Sequence, residues 1–591
     1  MAVLHSLQKD LPQKDKVQQL ITQHIDLWTG AVKDKSSAGR GGGSKREFYG
    51  IKKLRELILE LAVRGKLVAQ DPNDEPASVL LERIAAEKEE LVKQKKIKKP
   101  KKLPEISEDE KPFGLPEGWE WTRIAELAEV GPRNPDVEDE TIVSFIPMPL
   151  ISTRLDGSHD SEPRAWKDVK KGYTHFANGD FAIAKITPCF ENSKAAVFRN
   201  LESGIGAGTT ELHVARPIPD TLNPQFVLLY LKAPMFLKVG ETKMTGSAGQ
   251  KRVPKDFFAL NPLPFAPLTE QHRIVAKVDE LMALCDQLEQ QTESSINAHQ
   301  TLVQILLDTL LQSADAEELG QNWQRLSAHF DLLFSTEQSI DQLKQTILQL
   351  AVMGKLVPQD PNDEPASELL KRIAAEKEEL VKQKKIKKQK PLPPIRDDEK
   401  PFQLPKGWEW CRFASIVNVK SELVQSSDFP DFEQVAPDNI EKGTGRLLFK
   451  RTVREAGVKG PNNRFYQGQI LYSKIRPSLS KAIIAEFDGL CSADMYPLEA
   501  MINAPFALKT ILSEPFLVQV RALENRIKMP KLNIDSLSNI VVAIPPKKAQ
   551  SDISAKVDQL MALCDQLKAK LADSKATQLK LTDVLVDGAT A

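Results

Sequence analysis

The sequence predicts an α+β protein in which two mixed α/β modules are separated by two long antiparallel coiled-coil helical regions, with the whole pattern written twice. Three observations carry this. The stretch VDELMALCDQL at 278–288 returns almost letter for letter as VDQLMALCDQL at 557–567. LVAQDPNDEPAS at 67–78 returns as LVPQDPNDEPAS at 356–367, 289 residues on. Between the repeated stretches lie two diverged segments, in which short β-rich runs such as FAIAKI, AAVFRN, ILYSKI and SNIVVAI alternate with Gly, Pro, Asn and Asp.

Taken in order, residues 1–65 form an N-terminal helical region with a Gly-rich linker. Val17, Leu20, Ile21, Ile25 and Trp28 make one apolar stripe, and KDKSSAGRGGGSKR at 33–46 has the composition of flexible chain. Ile51, Leu54, Ile58 and Leu61 then mark a helix face that Gly65 would cap. Residues 66–121 lead into the first module. They hold a helix opening near Pro76, with Leu80, Leu81, Ile84 and Leu91 apolar, that runs into Lys93, Lys95, Lys96, Lys98, Lys99, Lys101 and Lys102.

The first module occupies 122–268, and within it QFVLLYLKAPMFLKVG at 225–240 reads as a helix. A central helical region follows over 269–356. Residues 357–410 repeat the lysine-rich lead, with Lys382, Lys384, Lys385, Lys387, Lys388 and Lys390; the second module spans 411–547, and 548–591 closes the chain as a coiled-coil helix. The coiled-coil seams step by four and three through Ile274, Val278, Leu281, Cys285 and Leu288, then Ile553, Val557, Leu560, Cys564 and Leu567. Because both seams lie on one chain, the economical arrangement pairs the two helices as a spacer, with a pseudo-twofold relation between the halves.

The 289-residue register holds from LVAQDPNDEPAS through GDFAIAKITP at 179–188, matched by GQILYSKIRP at 468–477, but the seams recur at 279. The second copy has therefore lost a net ten residues between Pro188 and Val278, as loops within a shared fold allow.

Composition narrows the function. Of 591 residues, 41% are hydrophobic and 27% charged, with zero net charge, so any surface for nucleic acid must be local. The five cysteines form no CxxC pair and fit a reducing cytosol. No apolar run indicates a membrane span, and no export signal is indicated. There is no phosphate-binding Gly-Lys-Ser/Thr loop, no HExxH and no Asn/Asp-Pro-Pro-Tyr/Phe methylation loop; Asn223-Pro224-Gln225-Phe226 comes nearest and reads as a helix start. His159 and His175 read as surface or loop residues, and Trp119, Trp121, Trp408 and Trp410 as core. These absences argue against an enzyme acting alone.

The candidate contacts recur in both modules. Lys185, Thr187 and Lys194 follow the first matched strand, and Gln250, Lys251, Arg252 and Lys255 a later basic segment. Their counterparts are Ser473, Lys474, Arg476 and Lys481, then Asn525, Arg526, Lys528 and Lys531. Cations and amides on short loops are the groups that read base edges, and solvated loops share the composition. The lysine blocks fit either a solvated linker or phosphate contact.

The sequence resembles the specificity subunit of type I DNA restriction-modification systems. The likeness rests on the module starts LPEGWEW and LPKGWEW, the GQILYSKIRP strand, the module exit PLTEQHRIVAKVDELMALCDQL and the duplicated layout. It implies two target-recognition domains, each similar to the small DNA-binding domain of adenine methyltransferases. Each would read half of a bipartite, asymmetric target, with the spacing set by helix length. It also implies that the chain is not catalytic. Two modification subunits would bring S-adenosylmethionine, and two restriction subunits would use ATP and Mg. A different reading of the neutral net charge is a protein scaffold carrying two ligand-binding modules without a DNA role.

Overall fold

The computed structural model describes residues 13–35, 45–99, 102–247, 249–314, 316–386, 388–524 and 530–590. Most of the glycine-rich run, together with Lys101, Lys387, Asn525, Arg526 and Lys528, lies outside the described residues. The chain divides into two compact units, one of Met1–Ser294 with Lys575–Ala591, the other of Ser295–Ser574. Six helices organise them: α1 (Tyr49–Val63), α2 (Ala77–Lys93), α3 (Leu268–Gln312), α4 (Glu337–Val352), α5 (Ala366–Lys382) and α6 (Lys547–Thr590).

In the first unit, Ile51, Leu54, Ile58 and Leu61 of α1 share a core with Ile274, Val278, Leu281, Cys285 and Leu288 of α3. Leu585, Val586 and Ala589 of α6 pack on the same core. Polar contacts fix the directions. Tyr49 donates to Asp583 at 2.6 Å and Arg64 to the carbonyl of Thr590 at 2.8 Å, so α1 and the end of α6 run the same way. Arg55 meets Asp286 at 2.7 Å and Glu289 at 2.6 Å, whereas Gln70, beyond the end of α1, reaches back to Glu270 at 3.0 Å. There α3 runs opposite to α1, and hence antiparallel to α6.

The second unit repeats the plan. Ile340, Leu343 and Ile347 of α4 share a core with Ile553, Val557 and Cys564 of α6 and with Val303, Leu307 and Leu310 of α3, while Leu560 and Leu567 are half-buried against it. Gln338 and Gln342 bond to Gln300 and Gln304, and Lys568 reaches Asp341 at 3.0 Å.

The two long helices contribute to both cores, as expected of a paired spacer, but their matching stretches lie in different units. Residues 278–288 belong to the first unit and 557–567 to the second, each against the short helix of its own unit. The reason is the width of the apolar face. Leu57, Leu59, Ala62 and Val63 of α1 are buried as well, which is more than a two-helix seam covers and enough for several neighbours.

The Gly65 cap is as read, and Gly354 repeats it in the second unit. Gly65 (φ +66°) and Gly354 (φ +74°) end α1 and α4 in the left-handed region, and a Cβ at either would strike Pro116 or Pro405 within 2.6 Å. Trp119 and Trp408, packed beside them, are buried.

Each module opens and closes on one antiparallel ribbon, Glu120–Arg123 with Pro262–Phe265 and Glu409–Arg412 with Val541–Ile544. The chain thus leaves each module next to where it entered, straight into α3 or α6. Inside is a four-stranded sheet of identical order in both. In the first module it runs Ala128–Val130, Leu212–Pro217, Phe181–Ala184, Ala195–Val197; in the second, Val417–Val419, Met495–Ala500, Ile470–Ser473, Ala482–Ile484.

The modules differ in their other sheet. Three strands correspond, but the fourth joins opposite edges: Glu162–Ala165 beside Ile142–Ile146, against Leu423–Gln425 beside Pro461–Phe465.

Three sequence expectations change. The helix read over 225–240 breaks at Ala233 into Pro224–Lys232 and Pro234–Lys243, because Pro234 lacks the N–H a continuous helix needs and disfavours helical geometry at Ala233. The N-terminal stripe breaks at His24, leaving Ile25 exposed while Val17, Ile21 and Trp28 stay buried. His175 is no loop residue; it is buried on strand Thr174–Ala177 against Trp166, and accepts a hydrogen bond from the backbone N–H of Asn134.

Candidate nucleic-acid interface

The duplicated sheet ends, in both modules, on the same small construction. In the first, strand Phe181–Ala184 runs into Lys185, whose backbone N–H donates to Glu211 and whose carbonyl accepts from Val253. Arg252 folds back onto Glu211 through two nitrogens at 2.8 and 2.9 Å. This ion pair holds the Glu211 carboxyl below its usual range. His213 donates from Nε2 to the carbonyl of Val253 at 2.9 Å, and burial keeps its imidazole below its ordinary value.

In the second module Lys474 makes the same backbone bonds, to Asp494 and from Leu532. Lys531 meets Asp494 at 3.1 Å, and the Tyr496 hydroxyl takes the place of His213, donating to the carbonyl of Leu532 at 3.0 Å. The pairs Lys185/Lys474, Glu211/Asp494, Arg252/Lys531 and His213/Tyr496 are therefore structural equivalents.

These equivalences locate the missing residues. The offset is 289 at Pro188/Pro477, 287 at Lys194/Lys481, 283 at Glu211/Asp494 and 279 at Val253/Leu532, so three separate loops shorten. None of them disturbs the construction.

The predicted contacts divide by what their side chains already do. Lys194 and Lys481 are half-buried and donate to the protein's own carbonyls, at Met148 (2.9 Å) and Pro437. Ser473 is buried with its hydroxyl on the carbonyl of Ile475, and Thr187 Oγ1 is buried without a partner. The polar ends of Lys194, Lys481 and Ser473 are thus engaged by the module's own carbonyls.

Lys255 lies near the carbonyl of Val130 at 3.3 Å, and Lys474 lies 5.4 Å from the Tyr496 ring. Lys185, Gln250, Lys251 and Arg476 have no side-chain hydrogen bond or ion pair among the described residues, and all but the half-exposed Lys185 are exposed. Arg476 sits in the left-handed region at φ +45°, its N–H held by the carbonyl of Pro530. A strained, exposed arginine on an anchored loop is well placed to present its fork of donors.

Sequence reasoning missed Glu211, Asp494, His213 and Tyr496, which a search at fixed offset cannot align. It also missed Lys88 and Lys377. Lys88 is buried and donates to the carbonyls of Ala125 and Glu126 (2.7 and 3.2 Å), while the half-buried Lys377 donates to those of Ala414 and Val417 (2.5 and 3.0 Å). They pin α2 and α5 to the module sheets. Their only sequence signal was position 289 apart in an exposed-looking charge run.

A family profile described as "Type I restriction modification DNA specificity domain" matches residues 116–298. The specificity subunit of the Escherichia coli type I restriction enzyme EcoAI is 54% identical over 586 residues, covering 97% of this chain and 99% of its own. That of EcoEI, also from Escherichia coli, is 52% identical over 593 residues with the same coverage. The solved HsdS subunit from Thermoanaerobacter tengcongensis is 17% identical over 81% of this chain, with a TM-score of 0.42. Duplicated modules that share one sheet order define a chain built from two matching units. The chain belongs to the specificity subunits of type I restriction-modification systems, the components that select DNA and leave catalysis to others.

No helix among the described residues is long and apolar enough to cross a membrane.

Proposed function

We propose that each module reads one half of a bipartite, asymmetric DNA target, and that the chain holds no cofactor of its own. The observation that carries this is the same strand-end construction built twice, at Lys185–Glu211–Arg252 and Lys474–Asp494–Lys531, on modules whose outer sheets and exposed side chains differ. Shared scaffolding with unlike presenting groups is what two readers of different sequences require. Adenine methylation takes the base out of the stack, and a partner bringing S-adenosylmethionine performs it while this chain holds the duplex. ATP and Mg enter with the restriction subunits.

Two copies of the modification subunit fit the helical surfaces. Leu302 and Ile305 of α3 are exposed in the second unit, and their equivalents 279 residues on, Leu581 and Val584 of α6, are exposed in the first. That the same apolar pair stays on the surface in both copies supports an association site there. The test is exchange of residues 122–268 for the corresponding module of another specificity subunit. One half of the methylated motif changes and the other stays; a change in both halves, or in neither, refutes the assignment.

A further inference from the structure

The two lysine blocks stand apart from the strand-end construction. EKEELVKQKKIKK is identical at 87–99 and 376–388, although the modules it precedes have diverged. Lys93, Lys95, Lys96, Lys98, Lys99 and Lys102 are all exposed in the first unit, as are Lys382, Lys384, Lys385, Lys388 and Lys390 in the second. Among them only Lys93, Lys382 and Lys390 meet a carboxylate, at 3.8, 3.8 and 3.5 Å, the outer limit of an ion pair.

Favourable interaction with a helix dipole explains Lys93 and Lys382, the last residues of α2 and α5. It does not explain the lysines beyond the helix ends, since the effect fades within the last turn. Nor does chain geometry. The residue that turns out of each helix, Lys95 (φ +60°) and Lys384 (φ +56°), occupies the left-handed position that glycine fills at lowest cost, and its successor's N–H returns to Leu91 or Leu380. Both copies keep a cation where backbone conformation favours a residue without a side chain.

The blocks are also held in place. Buried Lys88 and half-buried Lys377 fix α2 and α5 to the first strand of each sheet. In the first unit that strand, Ala128–Val130, has Lys88 on the carbonyl of Ala128 and Lys255 near that of Val130, so the arm and the basic loop attach to opposite ends of one strand.

We propose that the segments after α2 and α5 are two phosphate-binding arms that hold the DNA backbone without regard to sequence, a proposal that rests on the DNA-reading assignment. The charge suits a polyanion. It is spread over a helix end and the chain beyond it, it has no apolar centre, and it consists of lysine, which protein–protein interfaces disfavour.

The test uses the assembled complex and two duplexes, one with the target and one scrambled, titrated over a salt series. Lys93, Lys95, Lys96, Lys98, Lys99 and Lys102 are changed together to Gln, and in a second variant to Arg. The Gln variant loses at least tenfold in affinity for the scrambled duplex, and its log-affinity against log-salt slope becomes shallower by about 3 or more, at roughly 0.9 for each phosphate no longer neutralised. Discrimination of target over scrambled stays within about threefold, and the Arg variant regains the slope. An unchanged slope overturns the proposal and leaves a solvated tether. Loss of a partner subunit with the slope intact overturns it in favour of an acidic protein surface. If the unmodified complex fails to prefer its target while the Gln variant still loses slope, the recognition assignment falls and the arms stand.

Discussion

Arg252 closes on Glu211 through two guanidinium nitrogens at 2.8 and 2.9 Å, and in the second module Lys531 closes on Asp494 at 3.1 Å in the same place. The pair ties the late basic segment to the strand end that carries Lys185. Being part-exposed and screened by solvent, it adds little to stability. Its work is positional. Glu211→Gln therefore leaves the melting temperature nearly unchanged and lowers methylation of targets at the first half-site by about tenfold, while Asp494→Asn does so at the second. Methylation of two hybrid duplexes, each with one altered half-site, checks which half is affected.

Arg476 is an exposed cation on an anchored loop, held at φ +45° with its N–H on the carbonyl of Pro530. Arg476→Ala should cost about 1–3 kcal/mol in target affinity and relax one position of the second half-site, the signature of removing a bidentate hydrogen bond to a base. A uniform loss over all sequences would assign it to phosphate instead. Binding to a set of single-base target variants separates the two.

Glu270 is buried between Trp119 Nε1 and Gln70 Nε2, each at 3.0 Å, while in the second unit Ala549 stands in its place and Trp408 bonds directly to Gln359 at 2.7 Å. The second copy shows how the first can adapt. Glu270→Ala should cost only about 1 kcal/mol, because Gln70 can turn to accept from Trp119 as Gln359 does from Trp408. Adding Gln70→Ala removes that rescue and should bring the loss to about 2–3 kcal/mol, the cost of an unsatisfied buried donor. Chemical denaturation of the single and double variants measures the difference.

Lys377 is pushed down to about 8, chiefly by burial. The unfolded chain keeps that proton to about pH 10.4, so between pH 8 and 10.4 the unfolded state binds more protons and stability rises with pH. Below pH 8 the folded protein bears the cost of holding this half-buried group charged. Relative to Lys377→Met, the unmodified protein should therefore gain on the order of 2 kcal/mol from pH 7 to pH 10. Parallel unfolding curves at the two pH values test this.

Much of this was legible in the chain. Identical letters 289 apart located α2 and α5, four-three apolar stepping located α3 and α6, and of the four module-opening tryptophans Trp119 and Trp408 proved to be core while Trp121 and Trp410 are only half-buried. What a seam packs against was not legible, since apolar periodicity gives a face and not its partner. Nor could charge alone tell Lys194 from Lys251: one donates to a carbonyl inside the module and the other is exposed, a difference made by a hydrogen bond to Met148, 46 residues away. Glu211 and Asp494 escaped because three loop deletions precede or follow them, while hydrogen bonding across the sheet preserves their place.

The central claim is that two unlike modules each read one half-site, and methylated-base sequencing of a host carrying a chain with residues 122–268 replaced tests it most directly. The predicted result is a motif with one half new, the other half retained and the spacing between them unchanged. A motif altered in both halves, or altered in its spacing alone, would contradict it.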